Sequence, residues 1–327
     1  MKKFIKLILN VILRLTSLYK IKFTTNHILA FHRVVEPNEL SKLGLRTYEI
    51  STRRFIEIIN IYISEGYTFC SLDEFMKNKN SKKKQVVFTF DDGYSDIIDN
   101  ILPIIKEYEI PITVYCTPNY LNNSRLKWDY LTEFIITEAV NFDEIFNFLN
   151  IAPERPSYEI NQSEAYQMVK DKLKILNTLS EFHKIESFIS NFGQKYERKI
   201  QNILLNENQL KKLALEGMVT VGSHSMNHFV MTRLSDHELE FELTHSKHIL
   251  EKIIGKSINY FSFPYGACET GELAAAKAAG YVTAVSTNGR NVRRFRLECE
   301  YSLPRHVVKN DDRDSKFFSI MNGFRGF

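Results

Sequence analysis

The sequence predicts an α/β fold class built on a mostly parallel sheet, and three observations predict it. Short apolar runs alternate with helix-periodic segments six or more times, as in βα units whose strands are buried on both faces. Polar residues gather directly after those runs, where parallel α/β folds hold their ligands. A long central stretch carries helical periodicity and no clear strand, so a helical insertion is expected at about 125–205.

Taken in order, "HILAF" (27–31) reads as the first strand, and "TRRFIEIINIYISEGY" (52–67) as an amphipathic helix ending at Gly66. The strand "VVFTF" (86–90) follows, then "SDIIDNILPIIKEYEI", a helix expected to break near Pro103, then the strand "PITVYC" (111–116). Beyond the insertion come the helix "NQLKKLALEG", the strand "MVTVGS", the helix "DHELEFELTHSKHILEKIIG", the strand "NYFSF", the helix "GELAAAKAAG" and the strand "YVTAVS". Such a sheet is either open or closed into a barrel. No internal repeat, low-complexity tract or long linker interrupts the chain, so residues 23–327 are expected to form one catalytic domain with the insertion inside it.

Composition narrows the function classes. With 327 residues, 44% hydrophobic and 13% aromatic, the chain is globular rather than disordered. Residues 1–22 hold six Lys or Arg and no acid, so the formal charge of +4 hides a body with 37 bases against 39 acids. That balance argues against nucleic acid as a partner. The cysteines Cys70, Cys116, Cys268 and Cys299 form no CxxC pair, which excludes a zinc ribbon or a redox motif and favours a reduced compartment; their even number leaves disulfides open.

The first 22 residues, "MKKFIKLILNVILRLTSLYKIK", have a basic start and an apolar run but no small-x-small cleavage site. Lys6, Asn10 and Arg14 recur every four residues and form one narrow polar stripe on a helix. Two readings stay open: a peripheral membrane contact lying in the interface, or an amphipathic helix docked on the body. Either places the protein in the cytoplasm or at the membrane surface rather than outside the cell.

The chemistry sits at the strand ends. Asp91 and Asp92 follow "VVFTF", "SHSMNH" (223–228) follows "MVTVG", "PYG" (264–266) follows "NYFSF", and "PRH" (304–306) follows "YSL". Two adjacent carboxylates repel, so a positive group or a proton has to hold them there. His224 and His228, four apart, present two imidazoles to one point if the segment makes a helical turn, a spacing known from zinc sites. One Asp with two His is an open three-ligand site, and the second Asp is then placed to take a proton from water, which suits hydrolysis of an amide or ester. Each element alone also has a plainer reading: an Asp-Asp pair as a helix cap or turn, the His pair as structural, and "FPYG" as a strand exit. His245 and His248 read as packing or solvent residues of an amphipathic helix.

Together, "TFDDGY" (89–94), "SHSMNH" (223–228) and "FPYG" (263–266) resemble the first three motifs of the polysaccharide deacetylases, carbohydrate esterase family four. "HILAFHRVV", "FIEIINIYISEGYTFCSLDEF" and "AKAAGYVTAVSTNGR" resemble the bacterial members, so the likeness runs over roughly 27–310 outside much of the insertion. The resemblance implies a distorted (β/α) barrel of about seven strands and a divalent metal, usually zinc. It casts Asp91 as catalytic base, Asp92, His224 and His228 as metal ligands, and the backbone N–H of Tyr265 as an oxyanion donor.

The chain departs from the family pattern in three places. Ser262 stands where many members carry the arginine that braces the base, no Asp-Trp fourth motif is present, and the general acid is expected at His306 in "LPRHVV", with Arg305 beside it as the alternative. His32 in "FHRV" is either a further site residue or a partly buried histidine holding backbone groups. Trp128 with Asp129 is either a sugar-stacking platform or packing.

The function so implied is metal-dependent removal of acetyl groups from N-acetylated, or O-acetylated, sugars of a surface glycan or its lipid-linked precursor, with an acetylated oligo- or polysaccharide as partner. The rival is a catalytically weak carbohydrate-binding protein on the same barrel. A binding module needs no base beside a metal, and a phosphohydrolase with paired aspartates usually uses Asp-x-Asp.

Overall fold

A computed structural model of the chain describes residues 26–40, 48–78, 83–123, 132–133, 136–137, 142–175, 184–185, 187–188, 203–287 and 300–321. The expected helix at 1–22 and the pair Trp128 and Asp129 lie outside them.

Eleven strands are present among these residues: β1 (His27–Phe31), β2 (Arg33–Val35), β3 (Glu49–Ser51), β4 (Thr68–Phe69), β5 (Gln85–Phe90), β6 (Ile112–Cys116), β7 (Val219–Ser223), β8 (Tyr260–Ser262), β9 (Thr283–Ser286), β10 (Leu303–Pro304) and β11 (His306–Val307). β2 and β3 pair with each other, and the rest form one sheet in the order β10-β9-β8-β7-β6-β5-β1-β11, with β4 added at the start of β5. Every pairing in the main sheet is parallel.

The two ends of that order are one stretch of chain. Leu303 pairs with Val285 of β9, and His306 pairs with Leu29 of β1. Between them Arg305 donates its N–H to the Ser286 carbonyl at 2.8 Å, and Val308 donates to the Ala30 carbonyl at 2.9 Å. The segment thus leaves one neighbour for the other and closes the sheet. Counting β10 and β11 as one broken stave, seven staves enclose the barrel, as a distorted (β/α) barrel requires.

Strand alternation sorts the side chains into two layers. Leu29, Phe31, Val86, Phe88, Phe90, Ile112 and Val114 face outward onto helical residues such as Phe55, Ile58 and Ile59. Phe31 anchors this layer, with ring centroids 5.0 Å from Phe88, 5.2 Å from Phe90 and 5.3 Å from Phe55. Burying one such ring stabilises the fold by roughly 1.5–3 kcal/mol.

Ile28, Val87, Tyr115, Tyr260, Val285 and Leu303 fill the barrel from inside. Gly222 makes room for Tyr115, because a Cβ there would stand 2.5 Å from the Tyr115 ring.

The helix expected to break near Pro103 begins as a wide turn over Ile97–Ile101 and restarts as Leu102–Glu107, with Pro103 in its first turn, where no N–H is needed. The insertion contributes the helices Asp143–Leu149 and Gln162–Lys174, the second opened by a reciprocal Asn161–Glu164 cap. Their apolar faces (Ile145, Phe146, Leu149, Tyr166, Val169, Leu173) form a separate cluster that also includes Phe229. Because Phe229 directly follows His228, this cluster abuts the strand-end motifs. Cys70, Cys116 and Cys268 are free thiols, and no helix among the described residues is long and apolar enough to cross a membrane.

Candidate active site

Strand β5 delivers both carboxylates, and the backbone then separates them. Asp91 continues the strand, its N–H donating to the Phe31 carbonyl at 3.0 Å, so its side chain follows Val87 and Thr89 into the barrel mouth. Asp92 and Gly93 then adopt positive φ, 74° and 71°, which turns the second carboxylate aside. Position 93 favours glycine twice over, by its φ and because a Cβ would lie 3.1 Å from Cys116 Sγ.

The two histidines reach one point by a different route from the expected helical turn. Residues 224–230 are not helical; Ser225 and His228 take positive φ, 63° and 60°, and fold the loop back on itself. The His228 N–H donates to Ser225 Oγ at 2.9 Å.

Glu242, buried on the helix Asp236–Ile254, holds the loop from below. Its Oε2 accepts from the N–H groups of Met226 and Asn227 at 2.9 and 2.8 Å, and its Oε1 accepts from Asn227 Nδ2 at 2.5 Å. Burial raises the Glu242 carboxyl above the usual range against the pull of these donors. Sequence reading missed this residue, although an acid between Leu239 and Leu243 on a helix's apolar face was a visible anomaly.

His224 is oriented with equal care. Its Nδ1 lies 2.7 Å from the Ser262 carbonyl, which can only accept, so Nδ1 carries the proton and Nε2 offers its lone pair to the cluster. That Nε2 stands 3.7 Å from Asp92 Oδ1, and His228 Nε2 stands 3.4 Å from the same oxygen. One ligand atom from each of Asp92, His224 and His228 lies within 4.8 Å of the others, and all three residues are buried. Tetrahedral coordination with bonds of about 2.0–2.1 Å sets its donor atoms roughly 3.3 Å apart, so this donor set of one carboxylate and two imidazoles fits a divalent cation, zinc included.

Asp91 is held by an ion pair that the sequence did not disclose. Arg305 donates from both terminal nitrogens to its two carboxylate oxygens, each at 2.7 Å, and the same guanidinium reaches Thr89 Oγ1 at 2.9 Å and Ser262 Oγ at 2.7 Å. Burial by itself would raise the Asp91 pKa; the Arg305 charge and its hydrogen bonds outweigh it and hold the group at about 2. Ser262, which stands where the resembled family often carries a bracing arginine, accepts instead a hydrogen bond from Arg305 of the closing stave, and that arginine braces Asp91.

The same closure removes His306 from the cluster. Neighbours on a strand face opposite sides, so with Arg305 inside the barrel His306 points outward. There its ring packs 5.8 Å from His27, and burial together with Lys316 drives its pKa down to about 4. The structure therefore does not bring His306 to the residues expected to share its chemistry.

Tyr265 does reach them: its backbone takes φ 57° in the turn Pro264–Gly266, and its ring stands edge-on to His228 at 4.7 Å. His32 lies on the other side, with Nε2 3.9 Å from Asp92 Oδ2 and its ring stacked on Tyr48 at 4.8 Å. His245 and His248 are exposed on their helix.

Comparison with known proteins agrees with this geometry. The family model described as Polysaccharide deacetylase matches residues 78–284. A poly-beta-1,6-N-acetyl-D-glucosamine N-deacetylase of Staphylococcus epidermidis is 24% identical over 178 residues, which are 45% of this chain and 62% of that relative. Its counterpart in Staphylococcus aureus is 26% identical over 221 residues, 61% of this chain and 72% of the relative. The match thus spans less than two thirds of the first relative's length. A Streptococcus pyogenes deacetylase, solved in complex with acetate, superposes with a TM-score of 0.56 over 90% of this chain and 97% of that one; at 17% identity the likeness is one of fold.

Proposed function

Because the chain belongs to the polysaccharide deacetylase family, we propose that it hydrolyses acetyl groups from an N-acetylated saccharide of a surface glycan or its precursor. One observation carries the reading: a carboxylate fixed by a bidentate arginine stands beside, yet apart from, a carboxylate–imidazole–imidazole donor set at the mouth of a barrel. A carbohydrate-binding protein would gain nothing from burying that arginine–aspartate pair, whose desolvation is costly.

Each residue takes one task. Asp92, His224 and His228 hold a divalent cation, zinc by the chemistry of the set, which supplies a Lewis acid and lowers the pKa of water. Asp91, kept ionised by Arg305, accepts a proton from the attacking water. The N–H of Tyr265, presented by the Pro264–Gly266 turn, donates to the oxygen on which negative charge develops. His32, beside Asp92 and stacked on Tyr48, protonates the departing amine in the place expected of His306.

The test is acetate release from a panel of N- and O-acetylated oligosaccharides by zinc-reconstituted protein. Release from amide-linked sugars, abolished by a chelator and restored by zinc, is the expected result; no release from any member would overturn the reading.

A further inference from the structure

The rings that flank the donor cluster are capped by ammonium groups. On one side Tyr48 lies flat on His32, with ring planes 22° apart, and Lys170 Nζ and Lys309 Nζ stand 5.4 and 5.8 Å from the Tyr48 ring centre. On the other side Tyr265 meets His228, and Lys174 Nζ stands 4.8 Å over the Tyr265 ring. Lys170 and Lys174 are four apart on the helix Gln162–Lys174, so they share one face of it.

A single helix of the insertion therefore reaches both flanks of the site and carries cations over each. Neither Lys174 nor Lys309 forms an ion pair among the described residues. Aromatic faces alone serve a neutral sugar; ammonium groups gathered one ring beyond the cluster focus a positive field on whatever enters.

We propose that the saccharide accepted here is anionic: a phosphoryl or carboxylate group, carried on a sugar next to the acetylated one, sits under Lys170, Lys174 and Lys309. This rests on the deacetylase reading for its acetylated sugar, but the charge preference is a property of binding and is measured without turnover. Phosphoryl and carboxylate share the chemistry that three ammonium groups recognise, point charges with several acceptor oxygens.

The experiment measures calorimetric binding of three tetrasaccharides to the full chain: a neutral N-acetylglucosamine tetramer, the same tetramer bearing one phosphate, and a tetramer alternating N-acetylglucosamine with glucuronic acid. At least one anionic probe should bind about tenfold more tightly than the neutral one, the combined effect of the exposed Lys174 and Lys309 and the half-buried Lys170, and the tighter of the two identifies the group. The preference should shrink as sodium chloride rises from about 50 to 500 mM, since such pairs are screened. It should also vanish in the Lys170→Gln/Lys174→Gln/Lys309→Gln variant, whose thermal midpoint checks that it folds. Equal binding of all three probes, or a preference that survives in the variant, overturns the proposal. Acetate release, read separately, tests the deacetylase reading: preferential binding without release sinks that reading and leaves the charge preference standing.

Discussion

At the residue scale, the two adjacent aspartates have different surroundings, and substitution should separate their roles. Asp92→Asn removes a charged donor from a three-ligand set, so zinc retained after dialysis should fall and activity should partly return with excess metal. Asp91→Asn keeps the shape but cannot accept a proton, so zinc should stay bound while turnover falls by roughly 10²-fold or more. Zinc loss in the Asp91 variant with retention in the Asp92 variant would reverse the assignment. Arg305 acts through Asp91 and is tested as a positioning residue. Arg305→Lys keeps one charge but cannot bond both carboxylate oxygens in parallel, so kcat should drop by about 10²-fold with KM and zinc content little changed. Arg305→Met leaves a buried carboxylate uncompensated and should cost about 3–5 kcal/mol in a denaturant titration. If Arg305→Lys turned over normally, the brace would be dispensable.

At the scale of elements, the loop 224–228 owes its shape to a carboxylate on another helix. Glu242→Ala strands the N–H groups of Met226 and Asn227, so the fold should lose about 1–3 kcal/mol. Zinc affinity, measured by competition with a chelator, should fall about 10–100-fold, as expected when a support of a ligand is removed. Glu240→Gln, exposed on the same helix, is the control, and equal zinc affinities in the two variants would sink the idea. These elements also mark where sequence reading succeeds. β5 and the strand ends at Asp91, His224 and Pro264 were legible because short buried runs, six residues in β5 and three in β8, stand out between turn residues and the polar groups follow directly. The turn at 224–228 was not, because Ser225 and His228 take positive φ and the loop's N–H groups are held by Glu242, 15 or more positions away. The closing stave was legible only in part: two-residue strands with different partners carry no periodicity, although the alternation rule forbids Arg305 and His306 from facing the same side.

At the scale of the whole molecule, barrel closure depends on that same short stave, and closure half-buries a histidine in the outer layer. His306 sits between His27 and Lys316, and burial, then the Lys316 charge, hold its pKa near 4. In the unfolded chain the same imidazole returns to an ordinary value of about 6.5. Between these two values the unfolded chain binds a proton that the folded chain refuses, so stability rises with pH across the window. The contribution of His306 is present above about pH 6.5, fades as pH falls, and is gone below about 4, on the order of 3 kcal/mol in all. Carboxylates such as Glu242 also titrate as the medium turns acidic, so wild-type stability alone does not isolate the histidine. The difference between wild type and His306→Leu does, because the leucine binds no proton in either state while still filling the outer layer. The wild-type urea midpoint should therefore fall relative to that of the variant as pH drops from 7 through 5.5 to 4.5. Parallel curves would mean that His306 titrates alike in both states, and that the outer face of the closing stave is open to water.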